Sequence, residues 1–157
     1  MFMESNLPVT MPALALRGLT VFPNMLLHFD VGREASIKAL DEAMTTGQPV
    51  FLVAQRDLSV ESPQLNDLYT IGTICNVRQI LRLPGDNVRV MVEGVSRGRM
   101  HSLPQTSPYL MAEVEEIRPE EPVTRSARTE ALIRQTYELF ERYIELAPKM
   151  TPDILLS

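Results

Sequence analysis

The side chains of this 157-residue chain that could act as bases, nucleophiles or soft metal ligands are few: His28, His101, Cys75, Lys38 and Lys149. His28, His101 and Cys75 form no pair at the spacing of a zinc ligand set, so no metal site is expected. Cys75 shares its face of an extended stretch with Thr73 and Val77 and has no histidine near it in sequence to serve as its base. That is the setting of a buried small hydrophobe and not of a nucleophile. His28 alternates with apolar neighbours, which places it on the outer face of a strand. A lysine base has to be stripped of its charge by burial, but Lys38 falls on the polar side of a helical pattern and Lys149 in a tail. The carboxylate pairs Glu115 with Glu116 and Glu120 with Glu121 are sequence neighbours beside prolines and read as a solvated cluster. No glycine run ends in Gly-Lys-Ser/Thr, so ATP hydrolysis is not expected of this chain. The expected complement of catalytic, metal-binding and cofactor-binding residues is therefore none.

What remains is contact surface. Arg78, Arg82, Arg89, Arg97 and Arg99 cluster on a hairpin pattern and raise the question of nucleic acid. A net charge of −5 weighs against it, as does the lack of aromatic residues among them to stack on bases. A solvated sheet face, charged against edge pairing, accounts for the same residues. A second candidate is the bend in "LTVFPNM", where Leu19, Phe22, Pro23 and Met25 gather apolar side chains at a turn, and turns lie at surfaces. Burial in the domain's own core is the ordinary fate of Val21 and Phe22. A third is the stripe Ile133, Tyr137, Phe140 and Ile144, a possible interface between copies. Nine methionines fit either an adaptable binding surface or simple core filling.

The elements that would position these residues can be read from period and punctuation. Leu14 and Leu16 alternate with Ala13, Ala15 and Arg17 in a first strand, and Gly18 opens a turn. After Pro23 and Asn24, Leu27, Phe29 and Val31 alternate with Leu26, His28 and Asp30 in a second strand. Arg33 to Thr46 shifts to helical period with Ile37, Leu40 and Met44 on one face, and Gly47 supplies the stop. "PVFLVA", Pro49 to Ala54, has no polar face and predicts a strand covered on both sides. Residues 55 to 70 read as a long polar loop. Two long arms flanking "PGDN" predict an antiparallel hairpin with Val88, Val90 and Val92 on one face. Gly72, Gly94 and Gly98 suggest bulges or bends. A last strand is expected from Tyr109 to Ile117. "RPEEPV" marks a boundary, and the helical period returns from Thr124 to Ala147.

The result is an α+β chain, a mostly antiparallel, curled β unit over residues 7–118 with one helix, followed by a helical segment over 119–157. In the tail, Thr151, Pro152 and Asp153 begin a helix that the remaining residues are too few to sustain, which predicts that the chain is part of a longer polypeptide. Composition agrees with a folded domain: 45% apolar and 22% charged residues exclude wholesale disorder. No apolar run is long enough to span a bilayer. Prolines at 8, 12 and 23 and the absence of a basic head argue against a secretory signal. A single cysteine allows no internal disulfide and suits a reducing, cytoplasmic setting.

The order and spacing of "LR" followed by "VFP", "VGRE", "DLY", "IGT", "QILRLPG" and "VEG" resemble the amino-terminal domain of the bacterial ATP-dependent Lon protease, from about Leu7 into the helix after Pro122. Ala15 stands where that family often has proline, and Gly98 where an aliphatic residue is usual. The resemblance implies a PUA-like β pseudobarrel with one helix, then a helical subdomain leading to an ATPase module. It implies a serine–lysine dyad, ATP and Mg2+ in parts of the parent outside this chain, and a homohexameric parent, with the isolated piece possible as a dimer. It also implies unfolded or damaged proteins as partners. Two other classes stay open: a nucleic-acid-binding PUA-like module, since some Lon proteins bind DNA, and an oligomerisation domain.

Overall fold

The computed structural model describes residues 7–118 and 125–147. The chain divides into two compact units, Met1–Arg118 and Pro119–Ser157. In the first, the order is β1 (Val9–Leu16), β2 (Leu26–Val31), α1 (Glu34–Thr46), β3 (Val50–Ala54), a short 3-10 turn at Leu65–Asp67, β4 (Ile71–Arg82), β5 (Val88–Gln105) and β6 (Leu110–Ile117). The strands form a six-stranded sheet in the order β2-β5-β4-β3-β1-β6, and β5 also pairs with β6. That extra pairing closes β1, β3, β4, β5 and β6 into a ring, with β2 laid against the first part of β5. All pairings are antiparallel except β1 with β3, which gives the mostly antiparallel curled barrel expected.

Alternation along the strands sorts the apolar residues into two cores. Leu14, Leu16, Val50, Leu52, Cys75 and the valines 88, 90 and 92 pack with Leu40 of α1 on one side. Met11, Ala13, Ala15, Phe51, Val53, Ile74 and Val114 pack on the other. β3 lies between the two with both edges paired, so its sequence shows no polar face.

The helix is rotated from the expected face. Its buried residues are Ser36, Ala39, Leu40 and Ala43, Ile37 is partly buried, and Met44 is exposed. Small side chains at 39 and 43 allow a close approach to the sheet, which the larger Met44 at the rim could not. Gly47 ends the helix at φ 68° with its N–H on the Ala43 carbonyl.

Residues 55 to 70 are more ordered than a polar loop. Gln55 is buried and its side-chain amide donates to the Asp57 and Val60 carbonyls at 3.1 and 2.9 Å. Gln55 also bridges to Leu68, whose side chain is buried in the second core. The internal polar contacts of this segment, invisible to a hydrophobic pattern, hold it against β3.

In the second unit, α2 spans Ala127–Leu146 and is capped by Ser126, whose hydroxyl accepts from the Thr129 N–H at 3.2 Å. The boundary residues 119–124 and the tail from Pro148, including Lys149, lie outside the described residues.

Barrel curvature depends on a notch. Gly72 and Gly98 are paired across β4 and β5, and the fully buried Phe51 ring lies against both. A Cβ at position 98 would stand 2.5 Å from a Val114 methyl and 3.1 Å from the Phe51 ring. A larger side chain at 98 therefore does not fit between Val114 and Phe51 without a shift of its neighbours. Gly98→Ala is expected to destabilise the fold by about 1–3 kcal/mol through overpacking, measured by urea unfolding. Val95→Ala, at an exposed site on the same strand, should stay within about 0.5 kcal/mol of the parent.

Candidate functional site

The chain from Arg17 to Met25 joins β1 to β2 as a connection with two left-handed residues, Gly18 at φ 64° and Asn24 at φ 62°. Phe22–Met25 is a β-turn closed by the Met25 N–H on the Phe22 carbonyl at 3.2 Å. Proline at its second position and a positive-φ asparagine at its third are the residues that a type II turn asks for. Gly94 holds this turn to β5. Its carbonyl accepts from the Asn24 N–H at 2.9 Å, and its N–H donates to the Met25 carbonyl at 2.8 Å. A Cβ at 94 would fall 2.1 Å from the Phe22 carbonyl oxygen, so only glycine lets the turn sit so close. From below, the Thr73 hydroxyl donates to the Val21 carbonyl at 2.6 Å.

These fastenings divide the apolar residues of the bend. Val21 is buried, whereas Phe22 is 51% exposed, Met25 37% and Leu26 60%. The expectation of burial holds for Val21 and fails for Phe22, because the turn is pinned through its backbone and does not depend on burying the Phe22 ring. Leu19 is half-buried against the first core, and Pro23 is half-buried. The structure thus brings Phe22, Pro23 and Met25 together on one turn and adds Leu26, which sequence reading assigned only to a strand. The signal was present: Leu26 shares its outward parity with His28 and Asp30, both exposed.

On α2, Ile133 and Tyr137 are exposed, Phe140 is half-buried and Ile144 is only 6% exposed. Ile144 thus lies outside the exposed stripe, which includes Leu132, Ile133 and Tyr137.

Two of the residues weighed for chemistry have carboxylate partners. Lys38 pairs with Glu34 at 2.7 Å one helical turn away, and His101 contacts Glu115 at 2.7 Å. Among the described residues, no cluster of His, Cys, Asp and Glu could hold a metal ion. Three hairpin arginines are matched by carboxylates: Arg78 with Glu93, Arg82 with Asp41 at 3.0 Å and Arg89 with Asp30 at 2.7 Å. The hydrogen bond from Arg89 holds the Asp30 carboxyl below its usual range. Arg97 instead lies over the Phe22 ring, 4.9 Å from its centroid.

This fold has solved counterparts. The N-terminal domain of Mycobacterium avium complex Lon protease superposes with a TM-score of 0.67 at 20% identity, over 87% of this chain and 68% of that one. The Lon N-terminal domain protein from Xanthomonas campestris gives 0.62 at 14% identity, over 94% and 88%. In sequence, the chain is 45% identical over 150 residues to Lon protease of Clostridioides difficile (strain 630), covering 94% of this chain and 19% of that protein. It is 40% identical over 148 residues to Lon protease of Desulforamulus reducens, with 94% and 18% covered. The chain thus spans about a fifth of the length of these curated relatives. Residues 10–157 match the model of the ATP-dependent protease La (LON) substrate-binding domain, and the chain belongs to that family.

Two measurements check the site geometry. Gly94→Ala should lift the turn from β5 and speed hydrogen exchange at the Asn24 amide at least about tenfold, the loss expected when its bond and a close backbone contact cost roughly 1.4 kcal/mol or more. Burial pushes the Cys75 thiol from its ordinary value of 9.0 up to about 12. Above pH 9 the unfolded chain loses this proton while the folded chain keeps it, so stability falls as pH rises from 9 to 12. Below pH 9 the thiol adds no pH dependence. Relative to the parent, Cys75→Ala should show an unfolding free energy flatter across that window, by up to about 1.4 kcal/mol per pH unit.

Proposed function

We propose that this domain is the receptor through which a longer ATP-dependent serine protease engages unfolded or damaged polypeptides, and that it performs no bond cleavage itself. The observation that carries this reading is the exposed apolar turn Phe22–Met25 with Leu26, fixed in place by Gly94 and Thr73. Unfolded chains differ from folded ones chiefly in displaying apolar segments, so their receptor needs accessible apolar area and no reactive group. Rigidity adds to affinity, because a turn already ordered has less conformational freedom to lose on binding. The serine–lysine dyad, ATP and Mg2+ belong in this reading to the parts of the parent outside this chain, a cytoplasmic homohexamer. The exposed stripe of α2, Leu132, Ile133 and Tyr137, is assigned to assembly of that parent.

Phe22→Glu combined with Met25→Glu tests the receptor surface. Capture of reduced, carbamidomethylated α-lactalbumin by the chain, followed by fluorescence anisotropy, should weaken at least about tenfold, because buried apolar contact is exchanged for desolvated charge. The urea midpoint should move little, since both side chains are exposed. Undiminished capture by a folded double variant would remove the turn from the function.

A further inference from the structure

Beside the turn, an open cleft of about 550 Å³ runs between Leu19–Val21 and Arg56 with Tyr69–Thr73. Its base is apolar, with Leu16 and Leu52 both buried. Its charged lining is of one sign: Arg56 and Arg97 contribute to it, and no aspartate or glutamate does. On a chain of net charge −5 this is a local inversion.

The two guanidinium groups are held in place and still have donors to spare. Arg56 lies over the Tyr69 ring at 4.7 Å and spends its Nε–H on the Leu68 carbonyl at 3.0 Å. Arg97 lies over Phe22 at 4.9 Å and reaches the Thr73 hydroxyl at 3.4 Å. Among the described residues neither has a carboxylate partner, in contrast to Arg78, Arg82 and Arg89. A guanidinium carries five N–H donors in a planar fork suited to a carboxylate. The ring beneath each one restricts its motion, so less freedom is lost when an acceptor arrives. Phe22 belongs both to the exposed turn and to the Arg97 stack, which makes cleft and turn one continuous surface.

We propose that this cleft is a carboxylate subsite, taking an aspartate or glutamate side chain of an extended client segment whose neighbouring apolar residues lie on the turn at Phe22 and Met25. The inference rests on the receptor reading and adds to it a chemical preference: apolar segments interrupted by an acid bind better than purely apolar or basic ones.

The test uses three 12-residue peptides, acetylated and amidated so that no terminal charge remains, identical except for a central Glu, Gln or Lys in an apolar sequence. Binding to the 157-residue chain is read by fluorescence anisotropy at two salt concentrations. The Glu peptide should bind about fivefold tighter than the Gln peptide and the Lys peptide weakest, with the preference shrinking at high salt. Arg56→Gln should reduce the preference for the Glu peptide over the Gln peptide, and Arg56→Lys should retain part of that preference. Equal binding of the Glu and Gln peptides overturns the subsite and leaves the receptor reading standing. Failure of all three peptides to bind overturns both. A single-stranded oligonucleotide that binds more tightly than the Glu peptide, and loses that affinity in Arg56→Gln, reassigns the cleft to phosphate.

Discussion

Strand β5 has to pair with β4 along most of its length while giving its other edge first to β2 and then to β6. A flat strand cannot serve partners that diverge in this way, and the bend that reconciles them governs everything else in the first unit. It needs positions without a Cβ. At Gly98, with Gly72 opposite, the strand admits the Phe51 ring and the barrel closes around it; at Gly94 it admits a foreign backbone, that of the turn. A register shift beside Cys75, opposite this stretch, absorbs the change of direction. The same local economy of side chains thus forms the core and seats the candidate surface.

Once the turn is bound through its peptide groups, its side chains are released from structural duty. Val21 is the exception, since its side chain enters the core and its carbonyl is taken by Thr73. Phe22, Met25 and Leu26 contribute little to folding by burial, and the proposed recognition of apolar segments would give their exposure a purpose. Arg97 tempers that surface by lying over the Phe22 ring: the guanidinium covers part of an aromatic face that would otherwise invite indiscriminate association.

Much of the fold was legible because strands in this chain obey parity. The valines 88, 90 and 92 declare the inner side of β5, and the unbroken apolar run of β3 declares a strand covered on both faces; β1 hides more than its alternation shows, since Ala13 and Ala15 are buried in the second core opposite Leu14 and Leu16. The misreadings come where packing depends on size or on polar contacts. α1 turns its alanines inward and leaves Met44 at the rim, because a helix can approach a sheet more closely on small residues. The segment after β3 is organised by Gln55, a polar side chain that hydrophobic periodicity cannot register. The exposure of Phe22 depends on a backbone pairing with Gly94, far away in sequence, and no local pattern announces a contact of that kind. Similarly, the cleft between Arg56 and Arg97 joins residues that lie on different elements, and sequence order separates them.

Val9 is paired with Val114, and β1 finds both its partners in strands synthesised after it. During translation the ribosome delivers β6 on the order of ten seconds after β1. Until then Met11, Leu14 and Leu16, all buried in the finished unit, belong to a strand whose edge toward β6 has nothing to bond. Each newborn copy therefore carries β1 without its final partner until β6 has been made, an apolar segment of the kind that the proposed receptor would bind.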